Sequence, residues 1–272
     1  MNASTPETTR QKEKFSWSRE IRQWALLILI VLGIHSFVAK PFYIPSESMM
    51  ATLLVGDRLI VSKYPYGYSY LSPSLTILPH MEGRLFGSMP DRGDIIVVKS
   101  PSDGADWIKR VIGLPGDTVE LRAGQLFLNG EAVPRERRPD TELRVSPNTD
   151  CMYAPHFRAT AADGSAVCRF PTYRETLPGG RSYDTLDIAI TELDDFPATV
   201  VPAGGMFLMG DNRDNSRDSR VAVELGGLGF VPWENIVGRA EFTTFSLNGS
   251  QELNPMSWPG SLRRDRTLVS LR

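Results

Sequence analysis

Between Trp24 and Ala39, sixteen consecutive residues, WALLILIVLGIHSFVA, carry no formal charge. As a helix rising 1.5 Å per residue this run extends about 24 Å, against a hydrocarbon core of ~30 Å. Ile21 and Arg22 lengthen it on one side, and Lys40 can snorkel on the other. Trp17, Trp24, Phe42 and Tyr43 stand where interfacial aromatics belong. Arg10, Lys12, Lys14, Arg19 and Arg22 precede the run, against Glu7, Glu13 and Glu20. The bias of basic residues toward the cytoplasmic side then predicts a leader over 1–22, a transmembrane anchor over 23–39 and an outer body from 41 to 272. A cleaved export signal is the competing reading, since the length fits both. Phe37 breaks the small-x-small pattern before Ala39, and Val38 is a poor end residue, which favours an uncleaved anchor. His35 reads as an interfacial side chain.

The remaining composition narrows what the body does. Thirty basic residues against 32 acidic ones argue against a strongly basic nucleic-acid binder and against an acidic disordered tail. Two Cys rule out a disulfide-dense miniprotein and a four-Cys zinc site, and three His limit histidine chemistry. The length leaves ample material for a buried core.

Short β-rich runs dominate: Arg58–Lys63, Asp94–Lys99, Trp107–Ile112, Thr118–Arg122, Met206–Met209 and Val237–Phe245. Asn129-Gly130 sits between two short runs in Gln125–Val133, a strong hairpin signal. The expected fold is mainly β, an antiparallel-sheet body with an inserted β-rich subdomain behind one membrane helix. Residues 41–118 and 201–272 read as the discontinuous body and 119–200 as the insertion. Residues 65–92 read as a long excursion, a ribbon or lid. Cys151 and Cys168 fall on the side where disulfides persist. If paired, they close a loop of about 18 residues, worth roughly 3 kcal/mol in the chain-entropy model; two free thiols are the alternative.

Nucleophilic chemistry needs a nucleophile, a base and an oxyanion stabiliser. A Ser-His-Asp triad fits poorly, because His35 lies in the apolar run and His80 and His156 lack catalytic context. There is no HExxH and no clustered metal-ligand set. A calcium loop from Asp211 fails, with Arg213 third and Ser216 sixth. Gly226–Gly229 precedes no phosphate-binding helix and reads as a loop.

A serine with a lysine remains. Ser48 lies in Ile44-Pro-Ser-Glu-Ser-Met-Met50, where Pro45 fixes the backbone. Taken alone, such a serine is more often a solvated loop residue or a helix cap. Lys109 lies in a strand-like run whose alternation puts it on the face of Trp107 and Val111. Desolvation there lowers a lysine pKa, because the charged form loses hydration. Moving it from about 10.4 to about 8 costs roughly 3 kcal/mol, at about 1.36 kcal/mol per unit. A neutral amine can then take a proton from a serine hydroxyl near neutral pH. A lysine snorkelling from a strand edge is the plainer reading of Lys109 alone. The third block, Phe207–Arg220, is a strand followed by a dense polar loop that could orient the amine.

Three blocks in this order resemble the type I signal peptidases, the membrane-anchored Ser–Lys proteases: Pro45-Ser-x-Ser-Met49, Lys109-Arg-Val-Ile-Gly-Leu-Pro-Gly-Asp117 and Gly210-Asp-Asn-Arg-Asp-Asn-Ser-x-Asp-Ser-Arg220. Gly56-Asp57, Arg92-Gly-Asp94 and Trp258–Arg263 also match. The resemblance implies Ser48 as nucleophile, Lys109 as general base and Ser46 as a side-chain donor to the oxyanion beside the Ser48 N–H. It further implies Ser216 bonding the Lys109 amine, Asp218 and Arg220 as a bracing pair, and Asp211 as support. By position, Ile44, Pro45, Met49, Leu53, Trp107 and Ile108 are candidates for lining substrate pockets, with core packing the alternative for each. The implied substrates are exported preproteins, cut after small residues of the Ala-x-Ala type, at the outer side of a bacterial inner membrane. Membrane lipid is the other implied partner. Neither cofactor, metal nor nucleic acid enters the expectation, and a monomer is expected. Departures are Ala51 where relatives often carry Pro, Trp107 for a common Tyr, a longer 221–232 link, and a single span. A self-cleaving repressor-type Ser–Lys protease and an inactive tethered preprotein binder are the rival readings.

Overall fold

The computed structural model describes residues 16–74, 78–79, 81–151, 155–252, 256 and 258–272. His80 and the leader residues Glu7, Arg10, Lys12, Glu13 and Lys14 lie outside the described residues. A helix covers Trp17–Gly33 (α1) and runs into a π turn over Ile34–Val38. It therefore begins earlier than Trp24 and stops before Ala39. The Ser16 carbonyl accepts from the Arg19 and Glu20 N–H groups, and Glu20 in the first turn suits the positive helix end. Pro41 sets the other limit: it has no N–H to donate, and it disfavours helical backbone at Lys40. The 22 residues from Trp17 to Val38 are long and apolar enough to cross a membrane. No α1 side chain is buried in the protein, so the apolar surface faces outward all round.

Among the described residues, fifteen strands follow. Ala39–Tyr43 (β1), Asp57–Ser62 (β2), Ile95–Lys99 (β3) and Asp106–Gly113 (β4) come first. Thr118–Arg122 (β5), Gln125–Leu128 (β6) and Glu131–Ala132 (β7) make a small meander. Its tight turn places Asn129 and Gly130 at φ of 55° and 83°, the left-handed pair that a type I′ hairpin demands. Arg135–Arg144 (β8), Arg158–Thr160 (β9), Ala166–Thr176 (β10) and Ser182–Leu186 (β11) form a second unit, and Phe196–Val200 (β12) returns to pair with β5. Gly205–Met209 (β13), Val231–Pro232 (β14) and Ile236–Ser246 (β15) close the chain's main sheet. That sheet has seven antiparallel strands in the order β1-β2-β15-β3-β4-β13-β14.

The sheet is covered on both faces, so β3 reads as a continuous apolar run, Ile95–Val98, with every residue buried. Ile95 and Val97 join Ile44, Met49, Leu53 and Ile108 in one core, while Ile96 and Val98 join Tyr66, Val111 and Leu208 in another. A third core carries Ile112 and Phe207 into the meander through Val119, Leu121, Leu126 and Leu128. A fourth sets Met50 and Leu54 on Phe170, Leu186 and the bonded Cys151–Cys168 pair, whose Cα atoms are 5.8 Å apart.

Among the described residues of the 65–92 excursion, the strand pairing is one bridge, Tyr68 with Leu85, and none lines the cleft described below. The excursion is fastened by other means. The Arg84 guanidinium donates to the carbonyls of Tyr66, Gly67, Trp233, Glu234 and Ile236, so an arginine replaces missing strand pairing. The Tyr68 hydroxyl donates to Phe37 O at 2.9 Å, and Ser36 Oγ accepts from the Ser74 N–H at 2.9 Å. The helix end is thereby tied to the body.

Replacing both Cys151 and Cys168 with Ala is expected to cost about 3 kcal/mol of stability, measured by denaturant unfolding. A reducing agent should produce the same loss in the native protein.

Candidate active site

Ser48 sits on a tight turn that follows β1 across Ile44 and Pro45, and Lys109 sits mid-way along β4. They are 61 residues apart in sequence, yet Lys109 Nζ lies 2.7 Å from Ser48 Oγ. The strand supplies this placement. β3 fixes the register through the Ile96–Lys109 pair, and β13 pairs β4 only from Arg110 onward. Residues 106–109 therefore keep an unpaired edge beside Ser48. Both side chains are nearly enclosed, Ser48 at 9% and Lys109 at 3% exposure.

Around the amine there is little to hold a proton. Nζ donates to the Ile108 carbonyl at 3.1 Å and faces the Trp107 ring with its centroid 5.5 Å away. Burial pushes the lysine down to about 8, against the pull of the Asp218 and Asp211 carboxylates and with help from Arg220. Those carboxylates are spoken for. Asp211 pairs with Arg110 at 2.6 Å and takes the Thr52 hydroxyl. Asp218 pairs with Arg220 at 2.9 Å and accepts the Gly210 N–H. Each negative charge is already largely offset by its own arginine, so desolvation dominates at the lysine.

The loop 210–220 grips the nucleophile turn directly. Asn212 donates its N–H to Ser48 O and its amide to Glu47 O. Asn215 donates to the Glu47 carboxyl at 2.9 Å. Burial and Asp150 raise that carboxyl above its ordinary range. Gly210 is required by space: a Cβ there would collide with Ser48 O and Ser216 Oγ.

An open cleft of about 780 Å³ passes over the pair. Ser46 lies at its edge, exposed, and neither its hydroxyl nor the Ser48 N–H has a hydrogen bond among the described residues. Ile44, Pro45, Trp107 and Ile108 line the cleft. Met49 and Leu53 do not. Both are fully buried in the core beneath the floor, because the turn points them inward when it points Ser48 outward. Ser216 corrects another expectation. Its hydroxyl is buried on the cleft wall but bonds nothing, since the amine's contacts go to Ser48 and Ile108. Sequence reasoning missed Phe42 and Tyr43 on one wall and Arg217, Val221 and Leu225 on the other. Their signal was only adjacency to the motifs. Asp214, which also lines the cleft, draws its carboxylate together with those of Asp187 and Asp194, and Arg135 and backbone N–H groups bond to them.

The signal peptidase, peptidase S26, family profile matches residues 17–245. The chain belongs to this family. It is 35% identical over 254 residues to signal peptidase I of Rickettsia typhi, covering 90% of this chain and 83% of that one. Signal peptidase I of Rickettsia akari is 36% identical, with 89% and 84% covered. That of Rickettsia bellii is 34% identical, with 97% and 89% covered. A solved signal peptidase I from Enterococcus faecalis V583 aligns at 28% identity and a TM-score of 0.30, over 56% of this chain and 97% of that one. Membership makes the chain a serine peptidase, a hydrolase, and its apolar N-terminal helix fits a membrane-anchored protein.

A depressed lysine has a stability signature. The folded pKa lies below the unfolded value, so the destabilisation is full below about pH 8. It fades as pH rises toward ~10.4, where the unfolded chain also loses the proton. Lys109→Met is expected to stabilise the fold by about 3 kcal/mol at pH 7 and by much less at high pH, read from denaturant melts at each.

Proposed function

We propose that Ser48 and Lys109 form a Ser–Lys dyad that cleaves signal peptides from exported preproteins after small residues. The observation that carries this is an amine of depressed pKa, 2.7 Å from a hydroxyl, on the floor of an open cleft. An extended peptide adds to the unpaired edge of residues 106–108, opposite the β1 side of the cleft. Ile44, Pro45, Trp107 and Ile108 crowd its path, which favours small side chains. The uncharged Lys109 amine takes the Ser48 proton as Oγ attacks the carbonyl carbon. The Ser48 N–H and Ser46 hydroxyl, both free, meet the developing oxyanion. Lys109 then returns its proton to the departing amine of the mature protein. In the second half it takes a proton from the water that frees the acyl group. Asp218 with Arg220, and Asp211 with Arg110, hold the loop and strand in place. Ser216 stands close by with its hydroxyl uncommitted.

In this reading the helix spans the inner membrane with its N-terminus in the cytoplasm, and the cleft works on the outer side as a single subunit. The body leans on lipid as well. Phe86 is 91% exposed with φ of 53°, a strained backbone for a bulky residue, and Leu85 beside it is 67% exposed. Both follow the fastened Arg84 and lie one bridge away from Tyr68 on the helix end. A fluorophore on Phe86→Cys is expected to be quenched by spin-labelled lipid in reconstituted membranes. One on Ile190→Cys, 99% exposed within the 119–200 segment, should not be.

Purified Ser48→Ala and Lys109→Ala proteins are expected to leave a model preprotein uncut while still folding, as read from a cooperative unfolding transition. Retained cleavage by Ser48→Ala would falsify the dyad. Ser46→Ala should lower kcat by about 10²–10³-fold. The kcat/KM profile should rise with pH through an inflection near 8, as the amine loses its proton.

A further inference from the structure

Besides residues of β1, the turn after it and β4, the cleft is lined by a wall of Leu193, Asp214, Asn215, Arg217, Val221 and Leu225. The loop that builds this wall neutralises its charges carefully. Asp211 pairs with Arg110, Arg213 with Glu175, and Asp218 with Arg220. Asp214 accepts the Ile188 and Ala189 N–H groups. Arg217 is the exception. It is exposed on the cleft wall and has no ion pair or hydrogen bond among the described residues. Its Nη1 lies 3.7 Å from where a Cβ on Gly226 would sit, so the guanidinium rests over the next loop, beside the groove.

The direction of a bound substrate follows from the anchor. β1 begins where the membrane helix ends, so a signal segment leaving the bilayer enters along the β1 side. The chain beyond the scissile bond then departs toward the opposite wall. We infer that Arg217 is a specificity-determining residue that recognises an acidic side chain among the first residues after the scissile bond. This rests on the cleavage reading above. An exposed guanidinium pairs with a carboxylate weakly, by about 1.5- to 5-fold in affinity, and salt screens the pairing. Its effect is therefore a preference among substrates, not a requirement.

The test uses the full chain in detergent and model preproteins carrying Glu, Gln or Lys at each of the first few positions after the bond. The reading is the ratio of kcat/KM for Glu over Lys within one enzyme preparation, which cancels any difference in folded fraction. The parent should favour Glu by about 2- to 5-fold at low salt at one or more positions, and the ratio should shrink at high salt. Arg217→Gln should bring it close to one, and Arg217→Glu should turn it in favour of Lys. A parent ratio of one at every position, or a ratio that survives the charge reversal, overturns the inference and leaves the cleavage reading intact. A parent that cuts none of the substrates overturns that reading and this inference with it.

Discussion

Bringing an amine into a nearly dry position against a serine hydroxyl is the constraint the rest of the body serves. A lysine left to itself would swing to solvent, since its stem is long and its charge strongly hydrated. Here it cannot, because β4 is clamped by β3 on one side and by β13 from Arg110 onward on the other. The next residue along, Arg110, is buried in the opposite sense and tied to Asp211 and to Gly93 O. Alternation along one strand thus sets a paired cation beside an unpaired one, and the pairing of the first helps hold the second at its lowered pKa.

The polar loop 210–220 performs two tasks that could have conflicted. It brings negative charge near Lys109, which by itself would keep the lysine protonated. It also delivers Arg220 to Asp218, while β4 supplies Arg110 to Asp211, so the net field at the amine stays small and burial decides. A single uncompensated carboxylate at this depth would undo the site.

Much of this was legible in the sequence for physical reasons. Runs such as Asp94–Lys99 and Thr118–Arg122 alternate or saturate with apolar residues, and two-residue hairpins announce themselves through Asn-Gly. The proposed pairing of Ser48 with Lys109 came from the motif resemblance, since residue types alone leave a solvated loop serine and a snorkelling strand lysine as the plainer readings. Three things were not. Met49 and Leu53 share a turn with the serine, and a turn has no fixed period from which inward and outward can be told, unlike Trp107 and Ile108 on a strand. The fastening of residues 65–92 depends on one arginine reaching carbonyls as distant as Ile236. The Ser216 hydroxyl depends on side-chain distances that motif spacing does not encode.

The body's grip on the end of α1 bears on how an enzyme of this kind meets its substrate. Tyr68, Ser74 and the Lys63 N–H all bind the last turn before β1, through Phe37, Ser36 and Val38. Few flexible residues are then left between the helix and Ser48, only the strand β1 and the short turn after it. β1 is itself held along its full length by β2. In the proposed cleavage reading, a cleft mounted this way keeps a set height above the bilayer, and a substrate helix embedded in the same bilayer presents its end at a comparable height. On that reading, shallow pockets for small residues suffice, because position along the membrane normal excludes most other peptide bonds before any side chain is read.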